Sequence, residues 1–411
     1  MKRVLVIGGG ASGLTAAIAA AENGAKVTLL ERNRQVGKKI LVTGNGRCNL
    51  TNTKQDSSCY RGGAPGFADR VLGQYGLSET LRFFFRLGIL TRDRNGYLYP
   101  YSDQAASVAS ALRMEAEHRG VKLALENEVL ELKVSGSRFL ARTGSWTYEG
   151  DACILAAGSA AAPSTGSDGS GYRLAENLGH RIVKPLPALV KLKCREQFFG
   201  QLSGLRIEVV VRIFSEGKKI AEDRGEVQFT KEGISGIPVF QVSRFAVRAL
   251  EKGKRVEARL DLLPAFGEKE LDQLFASRLR DGGYKNGGQF LNGLFPEKMT
   301  VCLLERSGIP KGKRVKDWSR EELLSLLQMI RDFRAEIVSG GDFEQAQVCC
   351  GGVDTGEICP DTMESRLVPG LYFAGELVDI DGACGGYNLQ WAWSSGYVAG
   401  LHASEAVSDK I

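Results

Sequence analysis

The chain opens with four consecutive aliphatic residues, 4–7, a run too short for a helix and apolar on both faces, which predicts a buried parallel strand. Residues 14–23, dominated by alanine and leucine, predict a helix, and residues 26–30 predict a second strand that ends at Glu31. Leu77, Leu81, Phe84 and Phe85 recur at helical spacing over 77–87, and 104–119 repeats that pattern. A short strand follows at 121–125. Residues 128–134, 138–143 and 146–148 alternate as an antiparallel meander with turns at Ser135-Gly136 and Gly144-Ser145, and 152–156 reads as a buried strand running to Gly158.

The pattern changes after Pro185 and Pro187. Strand-like runs at 189–194, 207–213, 227–230 and 256–260 surround one helix at 239–250, and 265–335 is charged and helix-prone, with 321–330 the clearest helix. Near 345 the earlier alternation returns, with strands at 347–349, 351–353 and 371–374 and a helix at 388–403. The expected organisation is a discontinuous nucleotide-binding domain, 1–188 with 346–411, interrupted by an inserted domain at 189–345. The fold class is α/β: a Rossmann-like sheet broken by a β-rich insertion with a small helical part.

Composition narrows the chemistry. A length of 411 residues exceeds the ~250–300 at which one core stops growing, so more than one domain is expected. No run reaches ~18 apolar residues, so no membrane span is expected, and the first strand starts too near Met1 for a cleaved leader, which predicts a cytoplasmic protein. Nine cysteines contain no C-x-x-C, and the three histidines, His118, His180 and His402, stand apart from acidic or cysteine clusters. No metal site is therefore expected, and each histidine reads as a solvated or helix-end residue. The net charge of +6 peaks over 311–316, which reads first as a basic surface loop and second as a nucleic-acid contact.

Three segments carry the chemistry. Gly8, Gly10 and Gly13 form G-x-G-x-x-G between the first strand and its helix: one glycine for the turn, one for approach of a pyrophosphate, one for helix–strand packing. The helix start offers N–H groups and a positive dipole end to phosphate, and Glu31 stands where an acid accepts from a ribose hydroxyl. The second segment, 37–49, is punctuated by glycines, carries Lys38, Lys39 and Arg47, and ends in Cys48-Asn49; it suits a loop folded over pyrophosphate and a flat ring. Cys48 reads as a packing residue, since no base stands beside it. The third segment places Gly375 and Glu376 at the carboxyl end of a strand, where an acid can bond a polyol, with Asp379 or Asp381 able to fix the loop. Gly385 and Gly386 then precede a helix whose N-terminus would stabilise charge on a flavin edge; Trp391 and Trp393 read as core. Cys349-Cys350 reads as a buried pair on a strand.

These segments together, with 362–369, resemble the bacterial flavoprotein family labelled BaiN or aminoacetone oxidase. The resemblance covers nearly the whole chain. It implies a two-dinucleotide-binding fold with an inserted β-rich, barrel-like domain and a small helical piece, noncovalent FAD and an oxidoreductase, with flavin contacts from Gly8, Gly10, Ser12, Gly13, Glu31, Arg32, Lys38, Lys39, Thr43, Gly44, Arg47, Cys48, the backbone of Val129, Gly158, Gly375, Glu376, Asn388 and Leu389. Lys231 stands where a histidine is common in the family, and Cys349-Cys350 where Thr and a small residue are common.

The expected activity is hydride transfer between flavin N5 and a small or steroid-like substrate held under the inserted domain: amine oxidation or enone reduction. No second G-x-G-x-x-G follows a strand, so NAD(P)H is expected only as a transient electron donor. Two alternatives stand beside this: a tRNA-modifying flavoprotein, suggested by the basic 311–316 patch, and a flavin-binding protein without turnover. No side chain declares itself as catalytic acid or base.

Overall fold

The computed structural model describes residues 1–405, which divide into two compact units, Met1–Leu186 with Phe343 onward, and Pro187–Asp342. In the first unit the chain runs through β1 (Arg3–Ile7), α1 (Ala11–Glu22) and β2 (Lys26–Leu30). A hairpin of β3 (Thr91–Arg94) and β4 (Tyr97–Pro100) follows, then β5 (Lys122–Ala124) and β6 (Ala152–Leu155). After the inserted unit come β7 (Leu371–Phe373) and α2 (Tyr387–Ser404).

The five-stranded parallel sheet has the order β7-β6-β1-β2-β5. Strands β1 and β6 are buried along almost their whole length, which is why they read as unbroken apolar runs. From β1 the chain passes to β2 and β5 on one flank and then crosses to β6 and β7 on the other, and the crevice at the carboxyl end of β1 is where such sheets take ligands. The meander of Glu131–Ser135, Arg138–Arg142 and Thr147–Gly150 forms a separate antiparallel sheet.

Helices α1 and α2 cross at backbone distance. A Cβ on Gly396 would lie 2.4 Å from the Ser12 carbonyl oxygen, and one on Gly400 2.2 Å from that of Ala16. These two glycines, four positions apart, allow α2 to lie against α1 and bury Trp391 and Trp393 completely. Both indoles find acceptors, Trp391 Nε1 on the Gly375 carbonyl (3.0 Å) and Trp393 Nε1 on that of Leu50 (2.9 Å).

The second unit is a closed six-stranded barrel: Leu192–Cys194, Gly233–Ser235, Lys218–Thr230, Arg206–Ser215, Val256–Asp261 and Phe333–Gly340, in that order around the wall. Val209, Val211 and Ile213 alternate inward to meet Val227, Phe229, Leu260 and Phe333. Helix Ile237–Glu251 packs Val239, Val242 and Ala246 on that core, and Glu268–Gly282, Glu297–Arg306 and Arg320–Arg331 make up the helical part.

Two expectations need correction here. Residues 227–230 are only the end of a 13-residue strand, whose earlier part is polar because both its faces are largely solvated. His180 is not a solvated residue: it is 3% exposed, with Nδ1 3.2 Å from Glu357 and Nε2 2.9 Å from Ser365 Oγ. His118 and His402 do lie in the last turns of their helices.

Candidate dinucleotide site

The glycine turn divides its work as the spacing predicts. Gly8 has φ +106°, and a Cβ there would lie 2.4 Å from the Ala156 carbonyl oxygen; a Cβ on Gly13 would lie 1.9 Å from that of Gly8. A Cβ on Gly10, by contrast, would meet no protein atom within 4 Å. Two of the glycines are filled by the protein's own backbone, and the third faces an open cradle. The first turn of α1 has neither a capping side chain nor an acid, so its N–H groups and positive end remain available to phosphate.

Glu31 is 7% exposed and braces the turn: Oε2 accepts from the Gly9 N–H (2.7 Å), and Oε1 from the Asn33 N–H (2.8 Å) and Nδ2 (2.6 Å). Next to it Arg32 Nη1 lies 2.5 Å from Asp168. Burial alone would raise the Asp168 carboxyl, but hydrogen bonds from Arg32 and Ser170 bring it down to about 2. The Val129 N–H meets no hydrogen-bond partner among the described residues, although Val129 is only 6% exposed. An amide without a protein acceptor is a donor open to a ligand.

The two later segments meet across the fold. Lys39 Nζ lies 2.6 Å from Glu376 Oε2, a pair 337 positions apart in sequence, and donates also to the Ala161 carbonyl (3.2 Å). Ser159 donates to the same Glu376 oxygen at 3.0 Å. Gly375 (φ +73°) brings the chain against Ser12, and its N–H donates to Ser395 on α2 (2.9 Å). Gly158 has φ +76° and packs on Ser167. Thr43 Oγ1 donates back to Ile40, and Gly44, Asn45 and Cys48 all adopt positive φ, so this segment is a folded loop rather than a continuous helix. Asn388 locks the α2 entry by donating to Gly382 O (2.9 Å) and accepting from its N–H (2.8 Å), with Leu389 half-buried beside it. Lys38 is half-buried and has no carboxylate partner among the described residues.

Two cysteines of these segments are buried thiols. Cys48 is fully buried, and burial pushes its thiol up to about 12, Thr43 offsetting little of this. Burial also raises Cys349, whose neighbours are Ser159, Glu376 and Lys39. Asp379 is buried and fixes the loop, accepting from the Gly351 N–H at 3.0 Å.

Sequence reasoning missed Asn33, Ser159 and Cys349. Ser159 had a signal, since it directly follows Gly158 at the end of β6, and Asn33 had one in its place two residues after Glu31, to which it bonds; Cys349 joins the site only through tertiary packing. The basic 311–316 segment lies in the other unit, where Lys313 pairs with Glu322 (2.8 Å) while Arg314 and Lys316 are exposed. No helix among the described residues is long and apolar enough to cross a membrane.

The open cradle at Gly10, the uncapped α1 and the unengaged Val129 amide fit an adenine dinucleotide, and the Lys39–Glu376–Ser159 cluster fits its polyol. Comparison with known proteins agrees. The HI0933-like protein Rossmann domain matches residues 2–402. A 3-dehydro-bile acid delta(4,6)-reductase of Clostridium scindens is 46% identical over 98% of this chain and 100% of its own. A ribosomal RNA dihydrouridine synthase of Haemophilus influenzae is 31% identical over 97% of this chain and 98% of its own. Among solved structures, 3-ketosteroid delta1-dehydrogenase from Sterolibacterium denitrificans shares the fold: TM-score 0.51, 14% identity, 98% of this chain and 100% of that one.

Proposed function

Since this chain belongs to the HI0933-like Rossmann family and is an FAD-dependent oxidoreductase, we propose that it reduces a carbon–carbon double bond conjugated to a carbonyl, as in a 3-oxo-4,6-diene steroid acid. The observation that carries this is the 46% identity, across the full length, with a reductase of that substrate class. FAD held here would, when reduced, supply the hydride taken up at the β-carbon, and the α-carbon would take up a proton. The flavin contacts are those expected from the sequence: Gly8, Gly10, Ser12 and Gly13 at the pyrophosphate, Glu31 and Arg32 at the ribose, and the Val129 backbone at the adenine. Lys38, Lys39, Thr43, Gly44, Arg47, Cys48, Gly158, Gly375, Glu376, Asn388 and Leu389 surround the polyol and ring. The uncapped N-terminus of α2 would hold negative charge on the ring edge.

A second reading is favoured by the Haemophilus relative: reduction of a uridine base in RNA. The two reactions share their chemistry, because the uracil double bond is also conjugated to a carbonyl. The alternative from the sequence, a tRNA modifier, is the weaker form of this reading, since the relative's name specifies ribosomal RNA. A flavin protein without turnover is set aside by the identity with a named reductase. NADH or NADPH is proposed as the electron donor, binding transiently.

The test is anaerobic turnover with NADH or NADPH and a panel of dienone steroid acids, oligouridylates and primary amines, with products read by mass. Two added hydrogens on the dienone support the proposal. Oxidation of the amine with no reduction of either unsaturated substrate overturns it.

A further inference from the structure

The β3–β4 hairpin carries an arrangement that the flavin assignment does not use. Its register pairs Arg92 with Tyr99 and Arg94 with Tyr97, which puts these four side chains on one face, while Asp93 and the buried Leu98 take the other. Arg47, from the loop after Gly44, adds a third guanidinium to this face. Its Cζ lies 5.1 Å from the Tyr99 ring centroid, and that of Arg94 lies 5.8 Å from the same ring. Arg92 stacks on Tyr101 at 4.3 Å.

The cations are under-neutralised. Asp103 is the one carboxylate paired with them among the described residues, and it meets both Arg92 and Arg94 through a single oxygen. Arg47 has no carboxylate partner among the described residues; its Nε donates to the Gly44 carbonyl at 3.2 Å. Three guanidiniums offer about fifteen N–H donors, of which few are engaged. Cation–π contacts with Tyr99 and Tyr101 bias the guanidiniums toward this face, which reduces the side-chain entropy lost when an oxyanion is taken bidentately.

The location gives the face a purpose. A Cβ on Gly44 would lie 3.3 Å from the Tyr99 ring, and one on Gly385 2.7 Å from the Tyr97 ring. The hairpin therefore bridges the two glycine loops assigned above to the flavin ring.

We propose that Arg47, Arg92 and Arg94, held on Tyr99 and Tyr101, form an oxyanion subsite that anchors the anionic end of the substrate while its conjugated carbonyl lies at the flavin. The inference rests on the reading of the flavin site, and it deepens it. Arg47 serves both parts, its backbone in the flavin loop and its guanidinium in the subsite. The oxyanion is the carboxylate of a steroid acid; a phosphodiester presents the same chemistry, and the test separates them.

Holoenzyme is titrated with 3-oxo-chola-4,6-dien-24-oic acid, with its methyl ester and with a short oligouridylate, following the flavin spectrum without an electron donor. The acid is expected to bind about tenfold more tightly than the ester, the scale of one charge-assisted hydrogen bond. Arg94→Gln, which leaves the flavin loops intact, should remove most of that difference while ester affinity holds. Oligouridylate binding that falls in the same variant, with acid and ester equal, identifies phosphodiester as the anion. Equal binding of acid and ester, with oligouridylate unaffected by Arg94→Gln, overturns the subsite. Turnover of the ester with NAD(P)H is measured separately. Reduction of the ester with no anion preference leaves the proposed reaction standing and the subsite refuted. An anion preference without reduction refutes the reaction and leaves the subsite.

Discussion

Gly10 and Gly13 sit three positions apart and should fail in opposite ways. Gly10→Val projects two methyls into open space, so the chain should fold and lose its flavin. The purified variant is expected to be colourless with an unchanged far-UV spectrum; a yellow one would show that the cradle is not the pyrophosphate path. Gly13→Ala drives a methyl into the Gly8 carbonyl and should lower stability, whether or not cofactor is present. Glu31→Ala should weaken FAD by about 1–3 kcal/mol, the scale of a charge-assisted hydrogen bond, read by flavin fluorescence titration. His180 supplies a pH prediction. Burial lowers its pKa despite the opposing pull of Glu357, so the unfolded chain binds the proton more readily. Its contribution is present above the unfolded value near ~6.5 and is lost as pH falls below it. Urea unfolding should therefore show stability falling from pH 7 to pH 5, with a smaller fall in His180→Gln. The roles of Gly8 and Gly13 were legible because a turn that leads straight into a packed helix fixes their spacing. The His180–Glu357–Ser365 contact was not, because it joins residues far apart in sequence.

At the level of elements, Gly396 and Gly400 set the closest helix crossing in the first unit. Gly400→Val should cost about 1–3 kcal/mol by overpacking against Ala16, measured as a shift in the urea midpoint. An unchanged midpoint would mean that α2 can shift away from α1. The parallel strands were readable because burial on both faces leaves an uninterrupted apolar run. The hairpin β3–β4 was not, although Asn95-Gly96, both at positive φ, is a strong turn signal. Its strands alternate Arg, Asp, Tyr and Leu, so only Leu98 marks a buried face. Barrel closure was implied by the family resemblance but not readable in the strand pattern: the last strand, Phe333–Gly340, follows a long charged helical stretch, and the polar half of Lys218–Thr230 carries no apolar alternation.

Across the whole molecule, every proposed flavin contact lies in the first unit. The chain leaves that unit along Ile182–Ala188 and returns along Val348–Val353, neighbouring strands of one small sheet. Replacing 189–345 by a short Gly/Ser linker is therefore expected to leave a flavin-binding protein, less stable, that has lost substrate turnover. Full turnover in the excised protein would assign the substrate pocket to the first unit alone. The central claim, reduction of a conjugated double bond by the bound flavin, is tested most directly by a single half-reaction. Enzyme reduced anaerobically with one equivalent of dithionite is mixed with the 4,6-dien-3-one steroid acid or with its ring-saturated analogue, and the flavin band near ~450 nm is followed. The account predicts that the band returns with the dienone, one flavin per double bond reduced, and stays bleached with the saturated analogue. A band that stays bleached with the dienone and with oligouridylate alike, yet returns with an imine, would contradict it.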